Sequence, residues 1–242
     1  MEKKFDSFDL QPGRIIAKKY AIVEKLGQGW EGEVYKIREL SSGIERAAKL
    51  FLPQRNPGNR SVKFYARKLH RLRQCSMVIQ YHNEEIFTFR GQKITLLISE
   101  FVDGTLLGNF VAQQPGKRLQ PYQALHLLYA LSKGLEEIHL LADYHGDLHE
   151  DNIIVERVGV AFELRLLDMF YWGSPKPVNM LDDTVDLVRI FYDVLGGQKH
   201  YAKQPRWVKE ICCGLKRSLI RKKYRTAGQL RAYLENVNLD LD

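Results

Sequence analysis

Three glycines, at positions 27, 29 and 32, lie between two apolar-rich runs, KYAIVEKL and GEVYKIREL. The spacing G-x-G-x-x-G therefore falls at the tip of a strand–turn–strand unit, which constrains the fold more than any other feature of the chain. In dinucleotide-binding folds the same spacing opens a helix, whereas here a strand is expected on both sides. A glycine tip can bring its backbone close to a ligand, because no Cβ intervenes. Ordinary hairpin tips carry glycines too, and the spacing alone does not separate these readings. Lys49 follows 17 residues after Gly32, at the end of the short apolar run RAAKLFL. A backbone flap with an ammonium group beside it is one way to hold phosphates.

The first half of the chain reads as strands, with one exception. After the break QRNPGN, the stretch SVKFYARKLHRLRQ places Tyr65, Leu69 and Leu72 at helical spacing. IFTFR and KITLLISEF, joined by GQ, read as a further hairpin. From Pro121 the texture changes. PYQALHLLYALSKGLEEIHLL carries Leu125, Leu128, Leu131, Leu135 and Ile138 on one stripe, and a proline suits the first turn of that helix. DTVDLVRIFYDVLGG and RTAGQLRAYLEN read as two more helices. The fold class expected is α+β: a β-rich front and a helical back, with the connection near EFVDGTLLG.

Bulk properties exclude several classes. With 242 residues and 45% hydrophobic content the chain can build real cores. The three cysteines show no CxxC spacing and read as reduced, mostly buried thiols. The charged start MEKKFDSFDL does not read as a signal peptide, and no run is long enough for a membrane span. An intracellular, cytoplasmic protein is expected. Lys and Arg number 37 against 29 acids, which suits an anionic partner without choosing one. Much of the excess lies in residues 60–73 and 216–225, and such runs are commonly solvated helix faces.

YHGDLHEDNIIV, residues 144–155, sets two histidines, three acids and an asparagine before a strand-like run. Taken with RAAK at 46–49 and with Asp168 in LLDMF, it resembles the protein kinase superfamily. HGDLHEDN is similar to the family's catalytic loop, and LLDMF stands where the family carries Asp-Phe-Gly. The His-Gly-Asp followed by Leu-His is also similar to aminoglycoside-phosphotransferase-like kinases. The resemblance runs from about residue 15 to 236 in the family's order. It implies a two-lobed fold, with an antiparallel N-lobe at 1–98, a hinge at 99–105 and a mainly helical C-lobe at 106–242.

The resemblance also implies roles. Asp147, Lys49 and Asn152 would be catalytic, with Asp147 meeting the proton of the attacking hydroxyl. Asn152 and Asp168 would hold magnesium. ATP would be bound by Gly27, Gly29 and Gly32, by Lys49, by the backbone of Glu100 and Val102, and between Val34, Ala47 and Ile154. Ser99 falls at the position that controls a pocket behind the adenine. His145 would brace the loop, while His149 stands where protein kinases carry a lysine and is open between a phosphate-steadying role and a polar filler.

Three departures from the family matter. Residues 53–83 contain no Asp or Glu, and Tyr65 stands where the family's helix carries the glutamate that pairs with the lysine. Either Glu84, Glu85 or Asp168 is expected to substitute, or the lysine is set differently. Gly146 replaces the arginine that meets a phosphorylated activation segment, so no phosphorylation switch is expected. Only 14 residues separate Asp168 from Asp183, without an Ala-Pro-Glu platform. This segment reads as a short connector, and Arg225 reads as the counterpart of the family's buried arginine. The leading expectation is an ATP- and magnesium-dependent serine/threonine protein kinase. The alternatives are a small-molecule kinase acting on a sugar, lipid or lipopolysaccharide, or a nucleotide-binding pseudokinase. Direct nucleic-acid binding is disfavoured, and an acidic partner at the basic helix 60–73 is an open expectation.

Overall fold

A computed structural model describes residues 6–159, 161–170 and 172–239, which divide into two units. The first unit holds the chain up to Gln74 together with Ile79–Val102. Its strands are β1 (Ile15–Ile16), β2 (Tyr20–Gln28), β3 (Gly32–Glu39), β4 (Glu45–Phe51), β5 (Tyr81–Phe89) and β6 (Gln92–Glu100). They form one antiparallel sheet in the order β1-β2-β3-β4-β6-β5. Alternation decides its faces. Tyr35, Ile37, Ala48, Leu50, Leu96 and Ile98 are buried in a core that Phe8 and Leu10 complete. Val34, Ala47 and Lys49 alternate with these residues and are only half-buried.

Helix α1 (Arg60–Arg71) follows a break made by Pro53 and Pro57. It buries Val62, Tyr65 and Leu69, as the spacing predicts, with Leu72 just beyond its end. Each such side chain contributes about 1.5–3 kcal/mol of burial. The Tyr65 ring packs on Phe51 at 5.8 Å between centroids. Lys63, Arg67 and Arg71 point to solvent.

The second unit, Cys75–Val78 with the chain from Asp103, carries a small sheet of β7 (Thr105–Leu106), β8 (Ile153–Val158) and β9 (Ala161–Leu166). Its helices are α2 (Leu107–Ala112), α3 (Pro121–Leu140), α4 (Pro177–Val194), α5 (Gly197–Tyr201), α6 (Arg206–Cys212), α7 (Arg217–Lys223) and α8 (Ala227–Glu235). Helix α3 begins at its proline, and Gln123 Oε1 accepts from the Gln120 backbone amide at 3.0 Å. Its buried stripe is Ala124, Leu127, Leu128, Leu131, Leu135 and Ile138, so Leu125 sits at the margin rather than in the stripe. At Gly134 a Cβ would lie 1.8 Å from the Met77 sulfur, so any side chain there would displace Met77.

Two expectations change. The segment after Asp168 is not all connector, because α4 begins six residues before Asp183, with Pro177 in its first turn and Asn179 Oδ1 accepting from the Lys176 amide at 3.0 Å. Arg225 is exposed rather than buried. Arg217 and Arg221 instead pair with Asp182, the latter at 2.8 Å. All three cysteines are free thiols, as expected. Among the described residues no helix is long and apolar enough to cross a membrane.

Candidate functional site

The residues singled out from the sequence fall into two sets, one in each unit. In the first unit, Gly27 and Val34 are partners across β2 and β3, and Val34 is in turn opposite Lys49 on β4. Ala47 lies opposite Ser99 on β6. Val34, Ala47 and Lys49 thus share the half-buried face of the sheet. The flap closes with the Gly29 amide donating to the Gly32 carbonyl at 2.9 Å. Gly32 admits no side chain, since a Cβ would sit 1.8 Å from the Leu50 carbonyl oxygen. Gly27 and Gly29 face open space, so crowding within this chain does not require glycine there. At the strand end, the Glu100 amide donates to Gln80 O at 2.9 Å and its carboxylate accepts from the Gln80 amide at 3.0 Å. Ser99 is buried, and Val102 ends the unit.

Lys49 has a carboxylate partner that the sequence reading did not consider. Its Nζ lies 3.1 Å from Glu31 Oε2, in the flap itself, and the Tyr65 hydroxyl donates to that same oxygen at 2.9 Å. Glu85, one of the expected substitutes, pairs with Lys19 at 2.5 Å. The available signal was an acid between the second and third glycines in a chain whose helix lacks one.

In the second unit, the buried Asp183 of α4 organises the polar loop. Its carboxylate accepts from the amides of His145 at 2.7 Å and Gly146 at 2.8 Å, and His139 Nε2 lies 3.3 Å away. His145 is fully buried. Its Nε2 donates to Leu167 O at 2.8 Å, which leaves Nδ1 to accept from the Asp147 amide at 3.3 Å. Both ring nitrogens of His145 are thus engaged by the backbone of the loop and of Leu167. Asn152 donates through Nδ2 to Asp147 O at 2.8 Å, and its Oδ1 is the atom that could meet a cation. Asp168 adopts a left-handed φ of 47°, an uncommon conformation that clusters at functional positions. Ile154 on β8 touches Gly104, where a Cβ would meet its Cγ2 at 2.5 Å.

His149 joins this cluster. Its Nε2 is 2.8 Å from Asn152 Nδ2 and 3.7 Å from Asp147 Oδ2, and the Asp151 amide approaches Nδ1 at 3.3 Å. A neutral imidazole has one unprotonated nitrogen, so it accepts from Asn152 or from Asp151 but not from both.

Asp147, His149, Glu150 and Asp151 line a cavity of about 460 Å³ with Asp186 and Asp193 of α4. Burial, with Asp151 and Asp193 nearby, raises the Glu150 carboxyl above its ordinary range. Burial also raises Asp193, and pushes Asp186 up to about 6. Such a lining favours cationic over anionic groups.

Within the second unit, the loop carries side chains of the kind that a magnesium ion takes. Magnesium takes one or two protein oxygens and completes its shell with phosphates and water, and Asn152 and Asp168 are oxygen donors of that kind. Among the described residues no group of three or more His, Cys, Asp or Glu forms an all-protein metal site. Lys49 and the flap could hold phosphates.

The protein kinase domain family matches residues 20–179. Cyclin-dependent kinase C-2 C of Arabidopsis thaliana is 28% identical over 188 residues, covering 76% of this chain and 28% of the relative. Cyclin-dependent kinase B2-1 of Oryza sativa subsp. japonica is 29% identical over 195 residues, covering 76% and 57%. The chain thus spans well under two thirds of either relative. The kinase domain of PknI from Mycobacterium tuberculosis superposes with a TM-score of 0.62 at 17% identity, over 93% of this chain and 97% of that one. With the family match covering well over half its length, the chain belongs to the protein kinase family.

Proposed function

We propose that the chain is an ATP- and magnesium-dependent phosphotransferase acting on serine or threonine hydroxyls of proteins, without a phosphorylation switch. The observation that carries this reading is the loop itself: Asp183 fixes the His145 and Gly146 amides, and Asn152 is tied to the Asp147 backbone. Asp147 takes or orients the proton of the acceptor hydroxyl. Asn152 and Asp168 hold magnesium. Lys49 and the glycines at 27, 29 and 32 hold phosphates, and Val34, Ala47 and Ile154 with the Glu100 and Val102 backbone hold the adenine. Magnesium ATP, when bound, supplies the phosphoryl group and neutralises its charge. On this reading residues 1–98 are the nucleotide lobe, 99–105 the hinge and 106–242 the acceptor lobe, and the basic face of α1 receives an acidic partner.

Constitutive anchoring of the short segment after Asp168 supports the absence of a switch. The Trp172 indole donates to Gly146 O at 2.7 Å, its amide donates to the Tyr144 hydroxyl at 2.8 Å, and that hydroxyl donates to Gly173 O at 2.8 Å. The same short segment, with a cavity beside Asp147, favours a second reading in which the acceptor is a small molecule.

The test is transfer of labelled γ-phosphate from magnesium ATP by wild type and Asp147→Asn, offered host protein extract and a protein-free metabolite fraction. Label on protein that the variant abolishes is the expected result. Label on a small molecule alone selects the second reading. Tight nucleotide binding with no transfer to either would make the chain a pseudokinase and overturn both.

A further inference from the structure

We infer that Glu31, in the glycine-rich flap, is the positioning residue for Lys49 and does the work that helix α1 cannot do. This rests on the phosphotransferase reading above. A lysine that contacts phosphates has a long, rotamer-rich side chain and needs an acidic neighbour to hold it in place. No acid occurs between residues 53 and 83, so α1 has none to offer. At the place where a carboxylate would enter from the helix stands Tyr65, which is buried.

The geometry supplies the carboxylate from the opposite direction. Glu31 Oε2 accepts from Lys49 Nζ at 3.1 Å and from the Tyr65 hydroxyl at 2.9 Å. The Lys49 ammonium also lies 4.4 Å from the centre of the Tyr65 ring, so one lysine faces both a carboxylate and an aromatic face. The pair is well shielded, with 15% of the Lys49 and 18% of the Glu31 side chain exposed. Charge pairs in such surroundings are stronger than surface pairs and hold geometry better.

A carboxylate on a loose flap would position nothing, but the Glu31 backbone is itself anchored. Its carbonyl accepts from the Leu52 amide at 2.9 Å, and the adjoining Gly32 lies against Leu50 too closely for any side chain. Tyr65 completes the arrangement by donating to the carboxylate without competing for the lysine. The hydroxyl in place of a helix acid is therefore complementary to Glu31. The chain has moved the acid from the helix to the flap and put a donor where the acid would otherwise be. Tyr65 ties α1 to the flap through that one oxygen, so helix, flap and lysine move together.

The experiment compares wild type with Lys49→Met, Glu31→Gln, Tyr65→Phe and the double variant Glu31→Gln/Tyr65→Glu, all in the full chain. Thermal unfolding first checks that each folds. Three quantities are then read: kcat and KM for phosphate transfer, affinity for magnesium ADP, and the rate at which acetic anhydride labels Lys49 as followed by mass spectrometry. Misplacing Lys49 should lower kcat of Glu31→Gln by about 100-fold while magnesium ADP affinity changes by only a few-fold. Lys49 labelling should rise several-fold. Returning a carboxylate to the helix in Glu31→Gln/Tyr65→Glu should recover most of kcat and again protect Lys49, a rescue that a merely structural role would not show. Unchanged kcat and unchanged labelling in Glu31→Gln would overturn the inference. So would tighter magnesium ADP binding with faster transfer, since Glu31 would then be occupying the place of the phosphates. If wild type itself transfers no phosphate, the phosphotransferase reading fails, and the labelling pattern alone still decides whether Glu31 positions Lys49.

Discussion

The indole Nε1–H of Trp172 donates to the carbonyl oxygen of Gly146 at 2.7 Å, joining the segment after Asp168 to the loop that carries Asp147. In kinases that switch by phosphorylation an arginine occupies the place of Gly146. Here the backbone excludes it: Gly146 has a φ of +86°, and a Cβ would lie 2.8 Å from the Tyr144 ring and 3.1 Å from Phe170 O. Gly146→Arg should therefore destabilise the protein by more than about 2 kcal/mol, through strain and overpacking together. Urea denaturation measures this, and a fully stable variant would show that the loop tolerates the arginine. Trp172→Phe removes one donor from an exposed side chain and should cost no more than about 1 kcal/mol. Its phosphotransfer should nonetheless fall, while phosphatase treatment of wild type should leave activity unchanged.

Asp183 is 1% exposed and accepts from two backbone amides, with His139 beside it. Asp183→Asn keeps the shape but replaces one acceptor oxygen by a donor, which then faces an N–H. Leaving such groups buried and unpaired costs about 3 kcal/mol. The variant should unfold at correspondingly lower denaturant, and the His145 and Gly146 amides should exchange with solvent much faster. Slow exchange at those two amides would show that something else holds the loop.

Much of this loop was legible in the sequence through its resemblance to the family's catalytic loop, which places its residues in a fixed order. Asp147 and Asn152 are close along the chain, and Asp183 follows on a helix with clear periodicity. Helix α3 announced itself through the proline in its first turn, whereas Pro177, read as part of a connector, begins α4 earlier than the pattern DTVDLVRIFYDVLGG implied. That Glu31 meets Lys49 was not legible. Glu31 is local to the glycine motif, but its contact depends on the pairing of β3 with β4 and on which way the flap folds. Arg225 was misplaced for a similar reason: a basic run on α7 offers several arginines, and only packing decides that Arg217 and Arg221 meet Asp182.

Asp186 should give the protein a stability that falls as pH rises. Burial pushes its carboxyl up to about 6 from an ordinary 3.8; Asp183 and Asp182 add to this, while Arg189 and Arg217 oppose it. Between those two values the folded chain binds more protons than the unfolded one, so ionising Asp186 costs stability, and the full cost stands above about pH 6. Asp186→Asn should thus be more stable than wild type by about 1–2 kcal/mol near pH 8, a gain that vanishes near pH 4. Chemical denaturation at the two pH values checks this, and an equal gain at both would rule out the ionisation as its source.

Glu33 should act in the opposite sense. It is 2% exposed and accepts from Lys25 at 2.8 Å, from Ser7 at 2.7 Å and from the Tyr35 hydroxyl. Burial alone would raise its carboxyl, but the hydrogen bonds from Lys25, Tyr35 and Ser7 outweigh burial and hold it below its ordinary 4.5. In the folded chain it therefore gives up its proton more readily than in the unfolded one. Its contribution is complete above about pH 4.5 and is lost as pH falls through the lower, folded value. Tyr35 also accepts from the Leu10 amide at 3.0 Å, so the same cluster ties the N-terminal segment to β3. Glu33→Gln should lower stability near pH 7 by about 2–3 kcal/mol, because Lys25 loses its partner and a buried amide is left imperfectly bonded. The variant should also lose less additional stability than wild type on going to about pH 3.5. Parallel acid limbs for the two proteins would mean that Glu33 does not ionise differently on folding.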